Sequence, residues 1–366
     1  MPKPAYTLIA VVLCGLWAGC GEDPDAAMDV QVRVDTVGDT IMVRTVSGSV
    51  WGDAARLEAE VSIGALDGPD EYILGSPEGL AVAEDGTIYV LDTQVPVLRA
   101  FGADGRHLRD LGRSGAGPGE YESPDADPWN WRFGLVRYSP SGEILDTVRA
   151  PTWDYDPARV TASGEGSRSV RTVPFTARTA WTFSPLGYFV GGLSTGYGID
   201  LFRPDQSVMR LERQYSPVAV TAAEADEQRR RITQGLQRQY GGWRWNGPAV
   251  PDAKPPFKDV FVSWEGDVWV VVSTEALPVM TEAEAREEEE ASGRVALRFA
   301  EPVAFDVFAL DGRYLGHVRA PVSFRIDPEP VIRGDYVWAI TRDELDVASV
   351  TRFRIVHGES VGERAR

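Results

Sequence analysis

Cysteine, lysine and histidine are scarce in this chain. Three lysines stand among 37 basic residues, against 55 acidic residues, and the formal net charge is −18. Nucleic-acid phosphates and anionic lipid surfaces attract positively charged proteins, so neither is expected as a partner. GxSxG, Walker and HExxH motifs are also missing from the sequence, and we predict no catalytic residue and no cofactor.

Aromatic residues, in contrast, are plentiful. The sequence holds 11 Trp, 12 Tyr and 13 Phe. Large aromatic side chains suit the half-buried faces of pleated sheets, so this composition favours a β protein.

The first 19 residues read as a signal peptide. A positive start leads into an apolar run of ten residues, Leu8 to Trp17, which is too short to span a bilayer. Small residues then precede Cys20. This segment resembles the lipobox of bacterial lipoproteins, in which the cysteine is diacylated and the chain is cut just before it. It departs from the lipobox at Trp17, where Leu is preferred, and an ordinary signal peptide is the alternative.

Lipidation at Cys20 has consequences for the mature chain. The only other cysteine, Cys14, would be removed with the signal peptide. Disulfides, thiolate metal sites and a cysteine nucleophile are then excluded. Residues 20–29 form a tether, and Gly21 after the cysteine implies, by the same resemblance, the outer membrane. We therefore expect an exported, monomeric protein of the cell envelope, facing the periplasm or the cell surface and held by its N-terminal lipid.

Two kinds of hairpin alternate along the rest of the chain. The first is an apolar strand, a tight turn and an aromatic-rich strand, found at 79–92, 180–192, 259–272 and 330–341. The second has an aromatic residue before a polar turn, found at 97–112, 134–148, 199–212 and 304–318, with its first half at 350–358. Two successive hairpins give four antiparallel strands, which is one blade of a β-propeller.

The fold predicted from this repeat is an all-β propeller of four-stranded antiparallel blades spanning 30–358, followed by a flexible tail at 359–366. It is of the six-bladed type with the blade at 125–150 truncated, although five full blades plus a remnant also fit. We expect residues 30–45 to pair with strands at 337–341 and 350–356 and so close the ring. A β-sandwich is the alternative, but it does not predict two hairpin types in fixed order.

The repeats also resemble a known family. Residues 79–92 and 97–124, with the glycine-rich linker GRSGAGPGEY, are similar to an NHL-type repeat. Through DPWNWR (127–132), WTFSPLGYFVGG (181–192) and KPPFKD (254–259), the chain from about 30 to 358 further resembles six-bladed β-propeller lipoproteins of environmental bacteria. That resemblance implies a propeller and no assigned activity.

Two insertions are predicted to be helical. Segments 221–240 and 281–293 are rich in helix-forming residues. Each begins with a capping-box pair, Thr221 with Glu224 and Thr281 with Glu284. The four consecutive glutamates of the second segment predict a solvated face rather than a cation site. We expect helical insertions of this kind to lie on a propeller face, where they could cover the mouth of the central channel.

No metal site is predicted. His107 and His317 occupy equivalent places in repeated hairpins, which indicates structural roles, and His357 lies near the C-terminal tail. Only oxygen ligands remain, and these suit calcium or magnesium. Carboxylate groups such as Asp125 with Asp127, or Asp343, Glu344 and Asp346, are as expected by chance among 55 acids.

Aromatic residues in irregular segments are the predicted binding site. Exposed Trp and Arg together are typical of binding anchors. The candidates lie at 125–132 and 240–246 and are Trp129, Trp131, Arg132, Tyr240, Trp243, Arg244 and Trp245. The alternative is that they pack between blades.

The function predicted first is a non-catalytic binding or scaffold lipoprotein whose face binds a protein or glycan. Two alternatives stay open: an enzyme, a lyase or hydrolase with its site in the channel, and an envelope ligand sensor. Convergent carboxylates in the channel would favour the enzyme, whereas aromatic residues exposed on one face would favour the scaffold.

Overall fold

Short antiparallel strands joined by tight turns are the main elements of the part of the chain that the structure describes. The computed structural model describes residues 30–357, apart from 53, 112, 115–119, 122–133, 139–143 and 165. Within this part, no helix is both long enough and apolar enough to cross a membrane. The predicted signal peptide, the tether with Cys20, the tail, and Trp129, Trp131 and Arg132 lie outside the described residues.

Three strands precede the first repeat. They are β1 (Gln31–Val37), β2 (Thr40–Ser47) and β3 (Ala55–Ile63). A single 3-10 turn follows at Asp70–Tyr72.

Blade 1 is a four-stranded antiparallel sheet, made of β4 (Pro77–Val82), β5 (Ile88–Asp92), β6 (Val97–Phe101) and β7 (His107–Leu111). The tight turn predicted within 79–92 is Asp85-Gly86, which joins β4 to β5. Gly86 has a φ of 83°, which favours glycine, and Asp85 Oδ1 accepts the backbone N–H of Thr87 at 2.9 Å. Local turn chemistry therefore sets the register of this hairpin.

The next two units have two strands each among the described residues. A short parallel pair, β8 (Arg113–Ser114) and β9 (Glu120–Tyr121), precedes them. Unit 2 comprises β10 (Gly134–Tyr138) and β11 (Ile144–Arg149), and unit 3 comprises β12 (Arg159–Gly164) and β13 (Ser167–Thr172). The predicted truncated blade corresponds to unit 2.

Blades 4 and 5 are complete and carry the helices. Blade 4 comprises β14 (Thr179–Phe183), β15 (Phe189–Leu193), β16 (Gly198–Phe202) and β17 (Val208–Arg213), followed by helix α1 (Ala222–Gln239). Blade 5 comprises β18 (Phe257–Val262), β19 (Val268–Val272), β22 (Ala304–Phe308) and β23 (Tyr314–Arg319). Between β19 and β22 lie β20 (Leu277–Pro278), helix α2 (Glu282–Ser292) and β21 (Phe299–Ala300).

The last blade takes its outer strand from the N-terminal part of the chain. Blade 6 comprises β24 (Val331–Arg333), β25 (Tyr336–Arg342) and β26 (Ala348–Val356), and β3 pairs antiparallel with β26. Four four-stranded blades, the last completed from the N-terminus, confirm the predicted all-β propeller.

The predicted partner of residues 30–45 is wrong. These residues form the β1–β2 hairpin, and β2 pairs in parallel with β17 at the outer edge of blade 4. Residues 55–63 close the ring instead. Val43 explains the placement of the hairpin, because it is buried in one cluster with Leu211 of β17. Ile63 of β3 is equally buried, but against blades 1 and 6.

Candidate functional site

One face of the propeller carries both helices. In an antiparallel blade, the connection between strands two and three lies at the same edge as the connection from strand four to the next blade. Helix α1 follows β17, the fourth strand of blade 4, and α2 lies between β19 and β22, the second and third strands of blade 5. We call this side the helical face.

The helices begin as their sequences predict, with one difference. Thr281 and Glu284 form the full capping box of α2, and Gly293 ends that helix in the left-handed conformation. At α1, Thr221 accepts the Glu224 N–H, but the Glu224 carboxylate turns to Lys254 at 2.7 Å instead of completing a box.

Lys254 fixes α1 to blade 5. Its side chain is fully buried, and its ammonium contacts Glu224, Glu301 at 3.3 Å and the carbonyl of Thr274 at 3.0 Å. Lys258 contacts the other oxygen of Glu301 at 2.9 Å. A buried lysine needs such partners, since an uncompensated charge is costly there. Two of the three lysines of the chain thus hold the helical face together, which gives the KPPFKD segment a structural role.

Three of the predicted binding residues lie in the turn after α1 and pack against unit 3. Tyr240 is buried, and its hydroxyl lies 3.1 Å from Ser169 Oγ. The Trp243 indole donates to the carbonyl of Thr161 at 2.9 Å, and Trp245 donates to that of Pro248 at 2.8 Å. Both tryptophans also contact a small core cluster formed by unit 3 and α1.

Arg244 and the tryptophan rings nevertheless border open space. A cavity of about 470 Å³ lies between α1 and this turn. We call it the tryptophan groove; its lining residues are Arg229, Arg230, Thr233, Gln234, Gln237, Trp243, Arg244, Trp245 and Val295. Arg244 is exposed and makes no ion pair within the described part of the chain. Both interpretations of the aromatic turn thus have support, since one side packs and the other faces solvent.

Two carboxylates approach each other at the first strands of blades 5 and 6. Asp259 lies on β18, and Glu329 lies two residues before β24 and accepts the hydroxyl of Thr182, on β14, at 3.3 Å. First strands of successive blades surround the axis of a propeller, so these groups border its channel.

Their pKa values are raised. Loss of hydration around the carboxyl group, reinforced by the Asp259 charge, raises the pKa of Glu329 to about 7, although the residue as a whole is exposed. Burial also raises the pKa of Asp259, with a contribution from Asp327. A pair of carboxyl groups with raised pKa values can transfer protons near neutral pH. Sequence patterns did not point to this pair, because the two residues are 70 positions apart.

The sequence interpretation also missed a buried network around Asp306. This residue lies in the middle of β22, where all five residues are buried. Its carboxylate accepts the hydroxyls of Tyr197 at 2.8 Å and Tyr314 at 2.9 Å, pairs with Arg213, and lies 3.1 Å from His317 Nδ1.

This network keeps the carboxylate ionised. Burial alone would raise the pKa of Asp306, but the hydrogen bond from His317 and the charge of Arg213 hold it below its ordinary value. Burial and the same carboxylate raise the pKa of Tyr197. A single aspartate inside an otherwise apolar strand was the available signal in the sequence.

The other chemistry-bearing residues are separate. His107 lies 2.8 Å from Asp110 and its ring packs on Phe101, whereas His357 packs on Trp51. Asp343 accepts the N–H groups of Leu345 and Val347 in a turn. Among the described residues, no three His, Cys, Asp or Glu side chains are grouped to hold a metal ion.

Comparisons with known proteins find likeness of structure but not of sequence. No protein-family model and no curated protein matches the chain. A DUF4221 family member from Bacteroides vulgatus is similar over 83% of this chain and 99% of its own, at 10% identity and a TM-score of 0.43.

Two further structures are more distant. A streptogramin B lyase is similar over 82% of this chain and 98% of its own, with 11% identity and a TM-score of 0.28. Regucalcin from Agrobacterium tumefaciens, a calcium-binding protein, is similar over 83% of this chain and 96% of its own, with 13% identity and a TM-score of 0.24.

Proposed function

We propose that this protein is a non-catalytic binding lipoprotein of the bacterial cell envelope, anchored through Cys20, whose helical face binds a glycan in the tryptophan groove. The observation that carries the proposal is an aromatic turn with both indole N–H groups already bonded to backbone carbonyls. The rings offer apolar surface at fixed orientation, and Arg244 supplies free donors beside them. Sugar rings present C–H faces and hydroxyls, and such a groove complements both.

The groove is also rigid before any ligand arrives. Gln237 donates to the carbonyl of Trp243 at 2.8 Å, and the Asn246 amide donates to that of Thr161 at 2.8 Å. Helix, turn and unit 3 are thereby joined, so binding does not have to order a loop. Its other arginines are neutralised, Arg229 by Asp226 and Arg230 by Glu289. An uncharged glycan fits this balance better than a highly charged polymer.

Arg244→Ala tests the proposal without disturbing the fold. We expect this variant to lower affinity for a bound oligosaccharide about tenfold, or ~1.4 kcal/mol, and to leave the melting temperature unchanged. Calorimetric titration with chitohexaose, cellohexaose and xylohexaose measures the affinity. Arg109→Ala, on the exposed side of blade 1, is the matched control and should bind as the wild type does.

Trp243→Ala measures how much the packed side of this ring contributes to stability. Because this ring packs in the unit 3 cluster and bonds to Thr161, we expect its removal to destabilise the protein, by about 3–5 kcal/mol. If none of the three oligosaccharides binds the wild-type protein, the glycan proposal fails and a protein partner becomes the better hypothesis.

A channel-sited enzyme remains the second candidate function. The observation in its favour is the raised pKa of Glu329 beside Asp259. A general acid works best with a pKa near the operating pH, and about 7 meets that condition.

A further inference from the structure

A second cavity lies between blades 4 and 5 on the helical face, apart from the tryptophan groove. It has a volume of about 330 Å³, within the range of small-molecule sites, and shares no lining residue with the groove. Arg213 ends β17 at one wall, His317 and Asp306 lie at another, and Ser273 follows β19. We call it the interblade cavity.

An adjoining chamber of about 230 Å³ extends it along the face. Ser273 and Pro255 line both spaces, and the chamber is also bordered by Arg178, Lys258 and Glu301. Each space is therefore bordered by basic side chains and by one carboxylate, Asp306 or Glu301.

The two carboxylates that border these spaces are already hydrogen-bonded. Each Asp306 oxygen takes two donors: Tyr314 and His317 on Oδ1, Tyr197 and Arg213 on Oδ2. Glu301 is likewise used, with Lys254 on one oxygen and both Lys258 and the Thr274 N–H on the other. Neither of these two carboxylates is therefore free to bind a cationic ligand.

The donors, in contrast, are left over. Ser273 is 8% exposed, and its hydroxyl has no hydrogen-bond partner among the described residues. A buried polar atom of this kind is destabilising unless a water or ligand satisfies it. Arg213 contacts Asp306 through one terminal nitrogen of its guanidinium group, and His317 contacts Asp306 through Nδ1. The other guanidinium nitrogens of Arg213 and Nε2 of His317 are therefore left for a ligand. Arg178 makes no ion pair in the described part of the chain.

We propose that the interblade cavity binds a small organic acid, whose carboxylate meets Arg213, His317 and the Ser273 hydroxyl. Occupied carboxylates beside free donors favour a ligand that is rich in acceptors and negatively charged. Pro255, Pro256 and Val272 supply apolar walls for its carbon skeleton. The site is independent of the glycan groove and does not require the proposed function to hold.

Matched ligand pairs test the class of ligand. Acetate, succinate and D-glucuronate are titrated into the purified protein, each beside its uncharged counterpart acetamide, succinamide or D-glucose. At least one carboxylate should bind and raise the melting temperature, while its counterpart should not. Inorganic phosphate distinguishes a carboxylate site from a general anion site. Equal effects of acid and counterpart, stronger binding of phosphate, or no binding at all would overturn the proposal.

Two conservative variants locate the binding. Ser273→Ala removes an unpartnered hydroxyl, so we expect about fivefold weaker binding of the acid with no loss of stability. Arg213→Lys keeps the charge but loses the guanidinium fork, and should weaken binding about tenfold. Ser163→Ala, an exposed serine on β12, is the control. If Ser273→Ala and Arg213→Lys both bind the acid like the wild type, the ligand lies elsewhere and the assignment of the cavity is wrong.

Discussion

Single charged residues inside buried strands distinguish the blades from one another. The middle of the third strand is Arg99 in blade 1, Asp200 in blade 4 and Asp306 in blade 5. The residue opposite this position on the fourth strand is one that can pair with it: Arg210 lies opposite Asp200, and His317 lies opposite Asp306. The predicted equivalence of His107 and His317 is wrong. His107 lies opposite Phe101, as Tyr314 lies opposite Phe308, whereas His317 lies opposite Asp306.

Glu329→Gln should flatten the pH dependence of stability. The folded state holds the Glu329 proton up to about pH 7, whereas an unfolded chain releases it near pH 4.5. The folded state therefore binds more protons between these values, and the free energy of unfolding contributed by this group falls as pH rises through the window. Glutamine does not ionise, so the variant should gain on the wild type from pH 4.5 to 8.

Urea unfolding at pH 4.5, 6 and 8 measures this gain. The gain in unfolding free energy should be smaller than the roughly 3 kcal/mol expected for a fully buried carboxyl group, because Glu329 is exposed. Glu344→Gln, in an exposed turn, is the control. Parallel pH curves for Glu329→Gln and the wild type would show that Glu329 titrates normally, and would remove the support for a channel acid.

At the scale of elements, the hairpin pattern was readable and the ring closure was not. Turn residues and alternating burial are local, so four blades and both helices follow from the sequence. Both β1–β2 and β3 alternate apolar and polar residues, and alternation alone cannot choose which of them meets β26. That choice depends on the fit of Val43 against blade 4 and Ile63 against blades 1 and 6. The Asp259–Glu329 pair escaped for the same reason, since only the folded ring brings the two together.

Two aliphatic-to-alanine changes compare these N-terminal strands. Ile63, on β3, is 1% exposed, and Ile63→Ala should cost about 2–5 kcal/mol of unfolding free energy by leaving a cavity in the closing blade. Val34, on β1, is 62% exposed, so Val34→Ala should change stability by less than about 0.5 kcal/mol. Chemical denaturation of both variants decides the matter. A larger loss for Val34→Ala would mean that the β1–β2 hairpin, rather than β3, closes the ring.

On the scale of the whole molecule, the acidic residues and the few lysines have different roles. The net charge of the chain is −18, whereas Lys254 pairs with Glu224 of α1 and Lys258 pairs with Glu301 of blade 5. The repulsive field of the surface disfavours nucleic acid and anionic lipid. The proposed attachment to a membrane surface therefore relies on a group outside the propeller, and Cys20 is the residue proposed to carry it.

Membrane attachment is expected to depend on Cys20. One or more acyl chains on this sulfur would add about 0.8 kcal/mol of membrane affinity per buried CH₂, enough to hold an acidic domain that the lipid surface otherwise repels. Cys20→Ser should leave a precursor that is uncut or cut elsewhere, and that is extracted without detergent. Cys14→Ser, within the predicted signal peptide, is the matched control and should be processed and lipidated normally. Metabolic labelling with a palmitate analogue reads out the modification. A wild-type protein that takes up no label would be a soluble exported propeller, and its ligand would then be sought in solution rather than at the membrane.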